Sequence, residues 1–243
     1  MTGWLHVVLA VPGAGPTARF WSAALGWSLG EPWPGHPERR SFVPPHGDPY
    51  VHLQQIGSEP TAHLELEVAE LDAAAARMVA LGAEPAPQTP EGPTLRSPGG
   101  LTFRLVPQHP RRRPDPVTGP SGSRRRLVQV CLDLPPQHVD AEVTFWRAAL
   151  PWREVGLDGP EFLGRLVPPT GEPLQVLLQQ LGPDDGGRTT RLHLDLGSDD
   201  VDADVALVTS LGAEELHRGD GFVALRDPAG AAFCVTANAP DAP

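Results

Sequence analysis

Apolar and polar positions follow two different periods along this chain, and the order in which the periods succeed one another predicts its elements. From Trp4 to Val11 the chain is apolar and β-branched, as a buried strand is, and the segment Pro12 to Pro16 breaks it. Pro16 suits the first turn of a helix that carries Phe20, Trp21, Ala24 and Leu25 on one stripe, and Gly26 ends that helix. Short extended pieces follow, the best defined from Tyr50 to Ile56. His63 to Val68 then alternates as a half-buried strand does. Leu71, Ala74, Ala75, Met78 and Leu81 recur at helical spacing up to Gly82. Leu95-Arg96, a turn at Pro98-Gly99-Gly100 and a last strand from Leu101 to Val106 complete the series.

The second half of the chain repeats the first. Phe20, Trp21, Leu25 and Trp27 are answered by Phe145, Trp146, Leu150 and Trp152; Leu53-Gln54-Gln55 by Leu178-Gln179-Gln180; His63-Leu64-Glu65-Leu66 by His193-Leu194-Asp195-Leu196. Leu81-Gly82-Ala83-Glu84 returns as Leu211-Gly212-Ala213-Glu214, and Leu95-Arg96-Ser97-Pro98 as Leu225-Arg226-Asp227-Pro228. Order, spacing and aromatic identity kept together mark a duplication, with one short loop insertion between the copies. A length of 243 residues gives each copy the size of a common domain, with enough chain for a core of its own.

Between the copies, Pro107 to Arg126 is rich in Pro, Gly, Ser and Arg and reads as an exposed linker. Its arginine triplets, Arg111-Arg112-Arg113 and Arg124-Arg125-Arg126, do not make a nucleic-acid surface, because the net charge is -11 and no aromatics interleave them. No apolar run has the length to span a bilayer, and the N-terminus enters a strand without a charged leader, so a soluble cytoplasmic protein is expected. The sequence contains no lysine, which excludes lysine Schiff-base chemistry and phosphate loops of the Gly-x4-Gly-Lys kind. A Gly-x-Ser-x-Gly elbow is also absent, so nucleophilic hydrolase readings find little support in the sequence. The two cysteines, Cys131 and Cys234, are too few for a disulfide framework.

A strand, helix and three-strand unit occurring in pairs resembles the vicinal oxygen chelate superfamily, in its glyoxalase-like and bleomycin-resistance-like members. The residues that carry the resemblance are His6-Val7-Val8-Leu9-Ala10-Val11, the Phe-Trp-x3-Leu-x-Trp helix ends, the His63 and His193 strands, the two Leu-Gly-Ala-Glu exits and the Asp227-Pro228-Ala229-Gly230 turn. The resemblance implies an α+β fold of two tandem domains, 1–108 and 126–243, joined by a Pro/Arg-rich linker, 109–125. Each domain is then a pair of βαβββ modules forming a curved, cup-shaped mixed sheet with flanking helices.

Metal-dependent relatives place His, His or Gln, and Glu ligands on the concave face. Carried over singly, His6 and His63 stand at two of these positions in the first domain, with Glu65 on the same face as His63 and with His52 or Gln54 as a third donor. The closing position is Arg104, whose guanidinium repels a cation. In the second domain the positions are Gln129, His193 and Cys234, with Cys131 on the face of Gln129 and Gln179 matching Gln54. A divalent metal (Zn, Ni, Fe or Mn), where one is present, is expected in the first domain on His6 and His63.

His63 with Glu65, and His193 with Asp195, are either proton-transfer pairs lining a cavity or packing residues of half-buried strands. Trp21, Trp27, Trp146 and Trp152 read as core, whereas Trp33, in a Pro- and Gly-rich loop, reads as a ligand platform. The expected partner is a small organic molecule, held near His6, Trp33, His52, Gln54, Arg104, Gln129, Gln179 and Cys234, with no nucleic acid or membrane, in a monomer or homodimer. Three functions stay open: metal-free binding, metal-free acid/base catalysis, and a metal-dependent lyase, isomerase or dioxygenase. The metal-free readings come first, because the closing carboxylate is missing from both domains.

Overall fold

The computed structural model describes residues 2–57, 61–87, 92–185 and 187–242. The first half contains β1 (Thr2–Val11), α1 (Ala14–Leu25), β2 (Ser28–Leu29), β3 (Arg39–Val43), β4 (Val51–Gln55), β5 (Thr61–Val68), α2 (Leu71–Ala80), β6 (Glu84–Pro85), β7 (Thr94–Arg96) and β8 (Thr102–Pro107). The second half contains β9 (Val117–Thr118), β10 (Arg124–Leu134), α3 (Val139–Ala149), β11 (Arg153–Val155), β12 (Phe162–Val167), β13 (Gln175–Gln180), β14 (Arg191–Ser198), α4 (Val201–Ser210), β15 (Glu214–Gly219), β16 (Phe222–Arg226) and β17 (Ala232–Thr236).

Among the described residues the strands form two sheets of matching order. The first runs β2-β3-β4-β1-β5-β8-β7-β6 and the second β11-β12-β13-β10-β14-β17-β16-β15, with β9 pairing β10. In each sheet the two module-opening strands lie antiparallel at the centre, and each is flanked by the parallel closing strand of its own module. Alternation along β1 sends Leu5, Val7, Leu9 and Val11 to the core and leaves His6, Val8 and Ala10 on the opposite, inner face. The same rule puts His63, Glu65 and Glu67 on the inner face of the first sheet, and Gln129, Cys131 and Asp133, with His193 and Asp195, on that of the second.

Helix α1 has no side-chain N-cap and is held by its buried stripe, Thr17, Ala18, Phe20, Trp21, Ala24 and Leu25. It starts at Ala14, so Pro16 sits in its first turn. Gly26, at φ 69°, ends it, and a Cβ there would meet the Val117 side chain at 2.6 Å.

The stripes are exchanged between halves. Phe20 and Trp21 pack edge-on against Phe233 of β17, while Phe145 and Trp146 of α3 pack against Phe103 of β8. The apolar core is therefore one cluster running through both halves, not the separate core per domain that the repeat suggests. Trp21, Trp27 and Trp146 are buried in it, and Trp152 lies against its margin.

Most of the stretch from Pro107 to Gly122 is exposed or half-buried, but its C-terminal end enters β10 and is packed. Arg125 and Arg126 are only 3% and 2% exposed. Arg125 Nε donates to the Ala24 carbonyl at the end of α1, and Arg126 donates to the Pro173 and Pro240 carbonyls. A run of arginines looks solvated in a sequence, but guanidiniums have five donors and satisfy the unpaired carbonyls at helix and loop ends.

Candidate functional site

In the first half the inner face is filled by its own side chains. Glu65 Oε1 accepts from Arg39 Nη2 at 2.6 Å and from Arg104 Nη1 at 2.9 Å, and His63 Nε2 lies 3.8 Å away. Burial alone would raise the Glu65 pKa, but His63 and Arg39 outweigh it and hold the carboxyl well below its usual range. His6 has both ring nitrogens engaged, Nε2 with Glu67 Oε1 and Nδ1 with His52 Nε2, each at 3.1 Å. His52 Nδ1 meets Ser41 Oγ at 3.0 Å. Burial, and then His6, push the His52 pKa well down, so that ring is neutral.

The expected metal positions are thus engaged with one another in this structure. His6 and His63 share the inner face, both ring nitrogens of His6 are hydrogen-bonded, and two guanidiniums occupy Glu65. His52 does face inward, as one of the two proposed third donors, and it is spent on the same hydrogen-bond chain. Gln54, two residues on, shares its face. Nor is Trp33 a free platform: its indole N–H donates to Ser41 Oγ at 3.0 Å, its ring abuts His52, and the Arg39 guanidinium lies 4.3 Å above it.

The second half differs where Arg104 gives way to Cys234. His193 Nδ1 stands 3.1 Å from Asp133 Oδ2, and its Nε2 stands 3.3 Å from Asp195 Oδ1. Burial alone would lower the His193 pKa, but the carboxylates of Asp195 and Asp133 hold it well above its ordinary value. Gln129 Nε2 donates to the other oxygen of Asp195, and Gln175 donates to Gln129 Oε1 at 3.0 Å. The Cys131 thiol donates to Gln179 Oε1 at 3.1 Å, and burial pushes its pKa up to about 12. Burial raises that of Cys234 as well.

Ligand-type atoms of Cys131, Asp133 and His193 lie within 4.8 Å of one another, as do those of His193, Asp195 and Cys234. Among the described residues these are the two such groups, and both belong to the half in which a metal was not expected. His193 and Asp133 reach a cavity of about 940 Å³ whose far wall is supplied by the first half, including Leu9, Val11 and Trp21. Arg191 and Arg226 also line it.

Sequence reasoning missed Arg39, Ser41, Glu67, Asp133 and Gln175. Glu67 and Asp133 merely extend alternations already visible, His63-x-Glu65-x-Glu67 and Gln129-x-Cys131-x-Asp133, so counting two further residues along each strand finds them. Arg39 and Ser41 sit just beyond a Pro- and Gly-rich stretch with no periodic signal.

A model of the glyoxalase-like domain matches the chain twice, over residues 6–106 and 129–236. The chain belongs to this family. It is a tandem vicinal oxygen chelate protein of α+β fold. A search of curated proteins finds none that matches its sequence.

Similar solved structures share the fold at low identity. A triple mutant of 4-hydroxymandelate synthase from Streptomyces coelicolor is 17% identical with a TM-score of 0.62, covering 96% of this chain and 92% of that one. A Mn(II)-bound glyoxalase from Novosphingobium aromaticivorans is 19% identical with a TM-score of 0.61, covering 95% and 80%. A xylose isomerase-like TIM barrel/4-hydroxyphenylpyruvate dioxygenase fusion protein is 14% identical with a TM-score of 0.63; 97% of this chain spans 49% of that one. None of the described helices is long and apolar enough to cross a membrane.

Proposed function

We propose that the chain binds a small organic molecule in the cavity between its halves and that His193 moves a proton on it, without a metal ion. The observation that carries this reading is the placement of one imidazole between two carboxylates, Asp133 and Asp195, on the wall of a cavity. The matching pair in the first half, His63 and Glu65, is closed off by Arg39 and Arg104. An imidazolium at His193 donates a proton to oxygen as negative charge develops there, and Asp133, at the cavity edge, accepts one from carbon or oxygen. That pairing suits an isomerase or lyase, and it equally suits binding without turnover; the apolar wall from the first half receives the carbon skeleton. Gln54, Gln129, Gln179 and Cys234 then shape the cups and do not carry out the chemistry.

The test is a thermal-shift screen of small keto acids, hydroxy acids and phenols in the presence of EDTA. Ligands that stabilise the wild type and His63→Ala but not His193→Ala support the reading. Ligands that act only after a divalent ion is added, or that depend on His63 instead, overturn it.

A second reading rests on the two ligand groups around His193. Asp195 Oδ1 is buried without a hydrogen bond, and the donors Cys234, Asp195 and His193 fit a borderline-soft divalent ion such as zinc. Such an ion, when bound, polarises an oxygen of the substrate. Asp133 would then fix the His193 tautomer from Nδ1, leaving Nε2 as the ligand. About one equivalent of divalent ion in purified protein, lost in Cys234→Ser, would establish this reading over the first.

A further inference from the structure

The first cup contains a chain of polar groups that the proposed function does not use. Ser41 Oγ lies 3.0 Å from His52 Nδ1, His52 Nε2 lies 3.1 Å from His6 Nδ1, and His6 Nε2 lies 3.1 Å from Glu67 Oε1. The Glu67 carboxylate is also gripped by Arg111 Nε at 2.8 Å and by the His109 backbone N–H at 3.2 Å. An ionised Glu67 only accepts, which makes His6 Nε2 the donor to it; with His6 Nδ1 accepting from His52 Nε2, His52 Nδ1 accepts in turn, and the Ser41 hydroxyl points its proton at His52.

A nucleophile, a base in hydrogen-bond reach, and further groups that orient the base are the parts by which an activated serine is recognised, whatever their order in the chain. The members here come from four strands, β3, β4, β1 and β5, which is why no local motif announces them. His52 is 4% exposed and His6 3%, whereas Ser41 is only half-buried on β3, beside the edge strand β2. The reactive end of the relay is thus the end nearest solvent.

We propose that Ser41 is a nucleophile activated by the relay His52–His6–Glu67, and that it accepts the acyl group of a compact activated carboxylic ester. Ser41 Oγ bonds to the ester carbonyl carbon while its proton passes to His52 Nδ1. The carbon–oxygen bond to the alcohol then breaks, and the alcohol leaves with that proton, restoring neutral His52. Water hydrolyses the acyl-serine by the same steps in reverse roles. The Trp33 indole N–H, which donates to Ser41 Oγ at rest, is the nearest donor for the developing oxyanion. This site lies in the other half from His193 and does not depend on the reading given to that residue.

The test is covalent labelling of the full-length protein by a fluorophosphonate, followed by intact-mass measurement and peptide mapping. In this reaction the Oγ–P bond forms, fluoride leaves, and the hydroxyl proton is lost through His52. One adduct is expected, on the peptide containing Ser41, absent in Ser41→Ala and formed about 100-fold more slowly in His52→Gln, the scale of general-base assistance. No adduct on Ser41, or equal rates in the wild type and His52→Gln, would refute the proposal. Should the variants not fold, the wild type alone decides. A relay makes Ser41 label faster than the exposed Ser210 of the same chain; equal labelling of the two overturns the proposal.

Discussion

The indole N–H of Trp21 donates to Asp227 Oδ2 at 2.9 Å, joining a helix of the first half to a turn of the second across 206 positions of sequence. Asp227 Oδ1 also accepts from the backbone N–H groups of Ala229 and Ala231, each at 2.9 Å, so one carboxylate closes its own turn and anchors the partner helix. The opposite junction uses the same chemistry from a different place. There Glu142, on α3, accepts from Trp146 Nε1 at 2.6 Å and from the Gly99 backbone N–H, where the turn itself carries Ser97 in the position of Asp227.

Trp21→Phe keeps most of the ring and removes the donor. It is expected to cost about 1–3 kcal/mol, the range for leaving a buried acceptor short of a partner. Urea denaturation of wild type and variant checks this. Because the core is shared, both proteins should unfold in one transition seen alike by fluorescence and circular dichroism. Two separated transitions would show that the halves hold independent cores after all.

Arg104 is expected to matter for stability more than for binding. It is 6% exposed and shares Glu65 with Arg39, so Arg104→Met leaves a buried carboxylate with half its compensation. The expected loss is about 3–5 kcal/mol, as for removing one partner of a buried pair. Glu65→Met removes the carboxylate partner of both Arg39 and Arg104, so it should cost at least as much as Arg104→Met, and chemical denaturation of the three proteins provides the comparison. A single variant as stable as the wild type would show that the pair is not desolvated.

How legible all this was depends on the range of the physics involved. The helix around Phe20 and Trp21 and the strands around His63 and His193 were readable because their burial pattern repeats every few residues, and the duplication doubled the signal. What Phe20 and Trp21 pack against was not: an apolar stripe states that it must be covered, and nothing in it says that the cover is Phe233 of the other half. The inner-face positions of His6, His63 and Gln129 were legible from the family resemblance, and alternation then placed Glu65 beside His63 and Cys131 beside Gln129. Their chemistry was not, because it is decided by Arg39, which reaches Glu65 from β3, and by Asp133, which reaches His193 from β10.

His193 gives the fold a pH dependence with a definite sign. Its pKa is raised in the folded protein, so protonation favours folding. That contribution is complete below about pH 6.5, the ordinary value, and is lost as pH rises through the raised folded value. Urea midpoints measured from pH 6 to pH 9 should therefore decline toward the alkaline end, and His193→Asn should flatten that decline. An unchanged slope in the variant would assign the decline to other groups.

The two thiols are expected to stay silent in the native protein. Both are buried, and the Cys131 pKa is pushed up to about 12, so little thiolate is available to a disulfide reagent. They do not pair with each other, because β14 lies between β10 and β17 and two strand spacings, about 9–10 Å, exceed the reach of a disulfide. Titration with a chromogenic disulfide should find no rapid thiols before denaturation and two after it. Fast reaction of either in the native state would mean that the second cup opens in solution.

Glu172, in the loop between β12 and β13, provides the sharpest pH test. Its Oε2 is buried without a hydrogen bond, and burial, together with the Glu67 charge from the first half, pushes its pKa up to about 7. A raised carboxyl pKa favours the folded state while the group is protonated. The contribution is complete below the unfolded value, about pH 4.3, and is lost progressively as pH rises through the folded value near 7. Glu172→Gln keeps the shape and removes the charge, so it should leave stability unchanged near pH 4 and raise it at pH 8. The full shift overstates the gain, because the group is partly solvated and screened, and about 1–2 kcal/mol at pH 8 is the expected size. Denaturation curves of the two proteins at pH 4, 6 and 8 give the answer. A variant less stable than the wild type at pH 8 would mean that Glu172 is ionised and well partnered there, and that Glu67 does not crowd it.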